Sequence, residues 1–188
     1  MSAVALAALL ALGPIHSAGD EPPVPVPKGY VLQELDETGW IARPKNWFFV
    51  SRHTADGWVW NISKEDPAKG QYRTGVVISA FEDVRDAETP TATMVVQNFF
   101  AQQARDNKVL SKSLPRLAGG LERRCLDVLG RDGYHVRFTA YWDPTPYSGF
   151  VLIAAFSAPQ DGWEKTKTVA QVMSDIAIAD TTSETKKE

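Results

Sequence analysis

The sequence predicts an α+β domain, an antiparallel β-sheet packed by helices, and three observations carry that prediction. Short runs rich in apolar, aromatic and β-branched residues recur along the chain, joined by turn-sized polar segments. Apolar residues at helical spacing occur in only two places, once midway and once at the end. Strands and helices do not alternate, so consecutive strands are joined mostly by hairpins rather than by the crossovers of a parallel sheet.

The 188 residues, 44% apolar and 23% charged, suit one globular domain. Ahead of it, residues 3–12 are unbroken apolar sequence, closed by Gly13-Pro14 and followed by the small residues Ser17, Ala18 and Gly19. That run is about half the length a membrane-spanning helix needs, so residues 1–19 read as a signal peptide and the product as periplasmic or extracellular. No stable membrane insertion is expected after cleavage. No Lys or Arg precedes the apolar run, and a buried N-terminal helix in a cytoplasmic protein is the competing reading. Four prolines between Pro22 and Pro27 make residues 20–28 an extended spacer. Residues 29–179 form the single domain, and residues 180–188 a polar tail.

Within the domain, residues 40–43, 47–54 and 58–63 are strands separated by Pro44-Lys45-Asn46 and Ala55-Asp56-Gly57. A two-residue turn at Asp56-Gly57 would oppose His53 to Trp60 and put Ser51, His53, Trp58, Trp60 and Ile62 on one face. Residues 72–81, centred on Val76-Val77-Ile78, form a central strand buried on both faces. Thr89-Pro90 offers a cap and a first-turn proline to a helix whose apolar positions are Met94, Val95, Val96, Phe99, Phe100 and Ala104. Residues 108–114, 121–129, 134–142 and 147–157 are strands. With residues 143–146 closing the last hairpin, Trp142 opposes Tyr147 and Phe138 opposes Val151. One face of that hairpin is then entirely apolar or small. The alternate face, carrying Tyr141, Thr139, Arg137 and His135, is mixed and only partly covered. Asp161-Gly162-Trp163-Glu164 is a capping-box pattern opening a second helix, whose stripe of Trp163, Val169, Ala170, Val172, Met173, Ile176 and Ala177 lies on the sheet.

The run Gly39-Trp40-Ile41-Ala42-Arg43-Pro44-Lys45-Asn46-Trp47, opening an antiparallel sheet, resembles the superfamily of PsbP and the Mog-type Ran-binding proteins, which includes DcrB-like exported bacterial proteins. The order of a Pro-x-x-Trp turn, a hairpin, a middle helix, long strands and a terminal amphipathic helix is similar over residues 35–179. The resemblance implies an α/β/α sandwich and a non-enzymatic accessory or binding role. It carries no site residue with it.

Lys and Arg number 20 against 23 Asp and Glu, a net charge of −3, so the overall field does not collect nucleic acid. One cysteine and three histidines leave no internal disulfide and no Cys/His zinc cage, so no cofactor or metal is expected. An enzyme reading, for a small ligand or by thiol chemistry, would use Cys125 with His53 or His135. Strand alternation leaves only Arg123 on the thiol's face, and no Gly-rich or helix-terminal element stands beside it, so the cysteine reads as structural. The tryptophans are more unusual, because Trp58, Trp60 and Trp142 all fall beside hairpin turns. Aromatic rings of this kind favour interfaces. Trp58, Trp60, Trp142 and Tyr147, with Arg137 as polar anchor, therefore form the candidate recognition surface. The function expected is a non-catalytic exported accessory protein docking on an envelope protein or complex. A cytoplasmic binder of a nucleotide-switch protein is the alternative if the N-terminus is not cleaved.

Overall fold

Two antiparallel sheets and two helices make up the computed structural model, which describes residues 25–55, 57–70, 73–84, 91–146 and 148–179. The expected signal peptide and polar tail lie outside the described residues. The large sheet runs in the order β3 (Phe48–Thr54), β4 (Gly57–Ser63), β5 (Gly75–Phe81), β10 (Val151–Pro159), β9 (Tyr134–Trp142), β8 (Leu121–Leu129) and β6 (Lys108–Lys112). A short β7 (Arg116–Ala118) continues along the same edge of β8 where β6 leaves off. A small sheet places β2 (Gly39–Pro44) between β1 (Tyr30–Glu34) and β11 (Ile176–Ile178). Helix α1 (Ala92–Asp106) covers part of one face of the large sheet, and α2 (Trp163–Met173) and the small sheet cover the other.

Each face builds its own core from alternate residues of the same strands. On the α2 face, Trp60, Ile62, Val76, Ile78, Leu152 and Phe156 pack against Leu35, Ile41, Trp163 and Met173. On the α1 face, Leu126, Val128, Ala140, Trp142 and Val151 pack against Ala92, Val96 and Phe100. Two-sided burial explains why β5 and β10 read as nearly continuous apolar runs.

Several expectations need correction. His53 opposes Trp58, not Trp60, because Thr54 pairs with Gly57 and the turn falls one residue earlier. The shift is even, so Ser51, His53, Trp58, Trp60 and Ile62 still share a face. In the last hairpin Trp142 opposes Val151, which leaves residues 143–150 as an eight-residue loop. Gly149 is drawn out of the hairpin into a bridge with Asp83, where Val84 N–H donates to Gly149 O at 3.2 Å and any Cβ would overlap Asp83. This shift, of four residues, also preserves the faces. The mixed face is covered more fully than the pattern suggested, and the apolar face less evenly. His135, Thr139 and Tyr141 on the mixed face are buried, while Val136, Phe138 and Ile153 on the apolar face are only half-buried.

The helix ends also differ. Thr91, not Thr89, caps α1, its Oγ1 accepting from Met94 N–H at 3.2 Å; residues 89 and 90 lie outside the described residues. Met94 and Ala104 of the expected apolar set are exposed. Gly162 caps α2 without a side-chain bond, because Asp161 is held in the preceding 3-10 turn Gln160–Gly162, so the capping box is not made. The stripe was expected to run on to Ala177. The helix stops at Met173 instead, and Ile176 and Ala177 pair as a strand with Ile41 and Trp40. Tyr141 secures that break: its hydroxyl donates to Ser174 O at 2.7 Å and accepts from Ile176 N–H at 3.1 Å.

Candidate functional site

The structure does not bring the expected tryptophan surface together. Trp60 is fully buried on the α2 face, where its Nε1–H donates to Asp36 Oδ2 at 2.6 Å. Trp142 is buried on the opposite face, its Nε1–H donating to Thr93 Oγ1 of α1 at 3.0 Å. Trp58 is half-buried, stacked on Trp60 at 6.1 Å and meeting the edge of exposed His53 at 4.7 Å. Arg137 lies far across the α2 face, bound to Asp127, and Tyr147 lies outside the described residues. Proximity to a turn in sequence says nothing about which face a ring enters, and these rings enter different cores.

The titratable residues form a second cluster, on the α2 face between β6, β8 and β9. Asp127 accepts from Arg137 Nε at 2.9 Å and Nη2 at 3.0 Å, and from Ser111 Oγ at 2.7 Å. His135 Nε2 stands 3.4 Å from Asp127 Oδ1, and its ring stacks on Trp163 at 3.4 Å between centroids. Burial would raise the Asp127 carboxyl, but the bonds from Arg137, Ser111 and His135 outweigh it and hold it below its ordinary value. Burial lowers the His135 imidazole, and Arg137 adds to this against the pull of Asp127. The geometry agrees. With Nε2–H aimed at the carboxylate, Nδ1 is buried without a partner, so a proton there would be an unsatisfied donor.

These shifts set the direction of the pH dependence. A histidine with a depressed folded pKa lets the unfolded chain bind the extra proton, so stability falls as pH drops below the ordinary value of 6.5. Asp127, also depressed, contributes stability above 3.8 that is lost as pH falls through its folded value. Urea unfolding midpoints should therefore decline steadily below 6.5, and His135→Gln should flatten the first part of that decline. A profile equally steep in the variant would remove His135 as its source.

Cys125, the candidate nucleophile, faces Thr139, with Sγ 3.6 Å from Oγ1, while its backbone carbonyl accepts from Ser113 N–H. The His135 contacts run to Asp127 and Trp163, and His53 sits on the strand at the other edge of the sheet. Among the described residues no imidazole is placed to activate this thiol. Among the described residues no three His, Cys, Asp or Glu side chains gather as a metal ion would require.

A concavity lined almost wholly by apolar side chains is on the other face. A groove of about 440 Å³ runs between α1 and strands β5, β10 and β9, lined by Val77, Ser79 and Phe81, by Val95 and Phe99, and by Ile153 with its neighbours. Phe99 forms its rim and is held there by an edge-to-face contact with Phe138 at 5.3 Å. The reason for the gap is geometric. One helix about 10 Å across covers about two strands spaced about 4.8 Å apart, and α1 lies over β8 and β9. Beyond the groove the same face continues over half-buried Val59 and Asn61 to exposed Val50 and Phe48 on the edge strand. Its sequence signal was present in Val77, Ser79 and Phe81, which pair with Ala155, Ile153 and Val151. What the sequence lacked was a second helix to cover them.

No known family model matches this chain, and no curated protein matches it by sequence. Solved structures do. The solution structure of cyanobacterial PsbP (CyanoP) from Synechocystis sp. PCC 6803 is 18% identical with a TM-score of 0.50, covering 88% of this chain and 99% of that one. The crystal structure of LpqN, involved in cell envelope biogenesis of Mycobacterium tuberculosis, is 15% identical with a TM-score of 0.50, covering 80% of this chain and 91% of that one. The chain has a PsbP-like fold.

Proposed function

We propose that this chain is a non-catalytic accessory protein, exported to the cell envelope, that docks on an envelope protein or complex by seating an apolar segment of that partner in the groove beneath α1. The observation that carries the reading is the contrast between the two faces of the large sheet. On the α2 face Cys125, His135 and Arg137 are committed to internal contacts. On the α1 face a groove lined by apolar side chains stands open. Concave apolar surface of this kind is where binding free energy is available. The envelope setting is supported by residues 1–19 and by the role stated for LpqN, which shares the fold.

Affinity capture of the tagged chain from its native envelope fraction tests the reading. Ser79→Lys puts a charge into the groove from a half-buried position and should reduce capture at least about tenfold while the chain stays folded by circular dichroism. Capture undiminished in a folded Ser79→Lys bait removes the groove as the docking site. Cys125→Ser should capture normally, and a loss there would return the function to the thiol. The groove volume also falls in the range of small-molecule sites. An apolar compound extracted from the bait in place of a protein would favour that second reading.

A further inference from the structure

We infer that the corner formed by β6, β7 and the loop between them is a docking surface for a lipid bilayer with anionic headgroups. Eight large apolar residues are exposed among the described residues, and four of them, Val109, Leu110, Leu114 and Leu117, fall within this corner. Leu114 and Leu117 are 85% and 73% exposed. Lys108, Lys112 and Arg116 are interleaved with them, and no Asp or Glu occurs from residue 107 to residue 121. None of the three basic groups is in an ion pair among the described residues. A chain of net charge −3 thus carries one corner that is both basic and apolar.

The backbone presents these side chains rigidly. Ser113 N–H donates to Cys125 O at 3.0 Å, and Ser113 Oγ accepts from Cys125 N–H at 2.8 Å, pinning the residue before Leu114 to β8. Arg116 and Leu117 are held by pairing with Arg123 and Glu122. The outward leucines are therefore a fixed feature of the edge rather than a loose loop.

The chemistry favours lipid over protein. Protein interface cores are rich in aromatic residues, whereas residues 108–121 contain no aromatic residue and Leu114 and Leu117 stand out into solvent. A register shift between Val109 and Ser111, with lysines at both ends of β6, also opposes pairing with another strand. A bilayer takes protruding leucines between its headgroups and leaves Lys and Arg at the level of the phosphates, where negative lipids reward each of them. Such docking is peripheral and needs no spanning segment. It is also separate from the groove, whose lining ends at β9, since β8 lies between that strand and this edge.

The test uses the full chain carrying Leu114→Cys in a Cys125→Ser background, labelled with a polarity-sensitive fluorophore. Readout at position 114 separates this corner from the apolar stretch at residues 3–12, which is present in every sample. Vesicles of phosphatidylcholine with phosphatidylglycerol should blue-shift and brighten the label, high salt should reverse the change, and phosphatidylcholine alone should leave it unaltered. Lys112→Glu with Arg116→Glu should weaken the vesicle titration at least about tenfold. An unchanged label with anionic vesicles overturns the proposal, as does an equal response to neutral vesicles. So does a response of the label to an acidic envelope protein but not to lipid. Labelling at Leu117→Cys supplies a second readout if the first variant does not fold.

Discussion

Trp142→Ala should destabilise the domain by about 3–5 kcal/mol, the range for truncating a buried large aromatic. The ring fills the α1-face core among Ala92, Val96 and Val151, and its Nε1–H is bonded to Thr93, so the truncation removes packing and leaves that hydroxyl without its partner. Trp58→Ala removes a half-buried ring at the far end of the other face and should cost about half as much or less. Urea unfolding followed by circular dichroism distinguishes the two. A Trp142→Ala loss below about 1 kcal/mol would contradict its place in the core. The same contrast bears on function, because lost partner capture in Trp142→Ala would report unfolding rather than a missing contact surface.

Asp127→Ala should cost about 3 kcal/mol, at the lower end for breaking a buried ion pair. The carboxylate receives both Arg137 donors and the Ser111 hydroxyl, and without it these groups and the His135 Nε2 lose their acceptor together. Arg137 keeps some contact with water, which moderates the loss. Replacing both charges, as Asp127→Ala with Arg137→Met, should recover most of the stability, because it removes the stranded cation as well as its partner. A double variant as unstable as the single one would mean that Asp127 acts through Ser111 and His135 instead. The single variant should also lose the acid limb of the pH profile that Asp127 contributes.

Much of the fold was legible wherever local chemistry decides it. Strands β8 and β9 begin and end at the expected residues, because Gly130-Arg131-Asp132-Gly133 encodes its own turn. Gly133 takes a φ of +81°, which glycine accepts readily, and Gly130 N–H closes the loop on Tyr134 O at 2.8 Å. The small sheet was not legible. Its strand β11 carries an apolar pattern continuous with α2, and only pairing with β2, more than a hundred residues earlier in the chain, makes it a strand. The tryptophan surface failed for a related reason. Trp60 and Trp142 are both next to turns, yet one ring points to α2 and the other to α1.

What the sequence determined by itself was which residues share a face. The two-residue period of a strand survives any even shift of register, so both hairpins kept their faces although neither kept its expected partners. What only the tertiary structure decided was which face is covered and by how much. That depends on the bridge between Asp83 and Gly149, on the Tyr141 bonds that end α2, and on one helix lying over a sheet wider than itself. Each of these joins residues distant along the chain, whose meeting no local pattern encodes. The open groove is the consequence of the last of them.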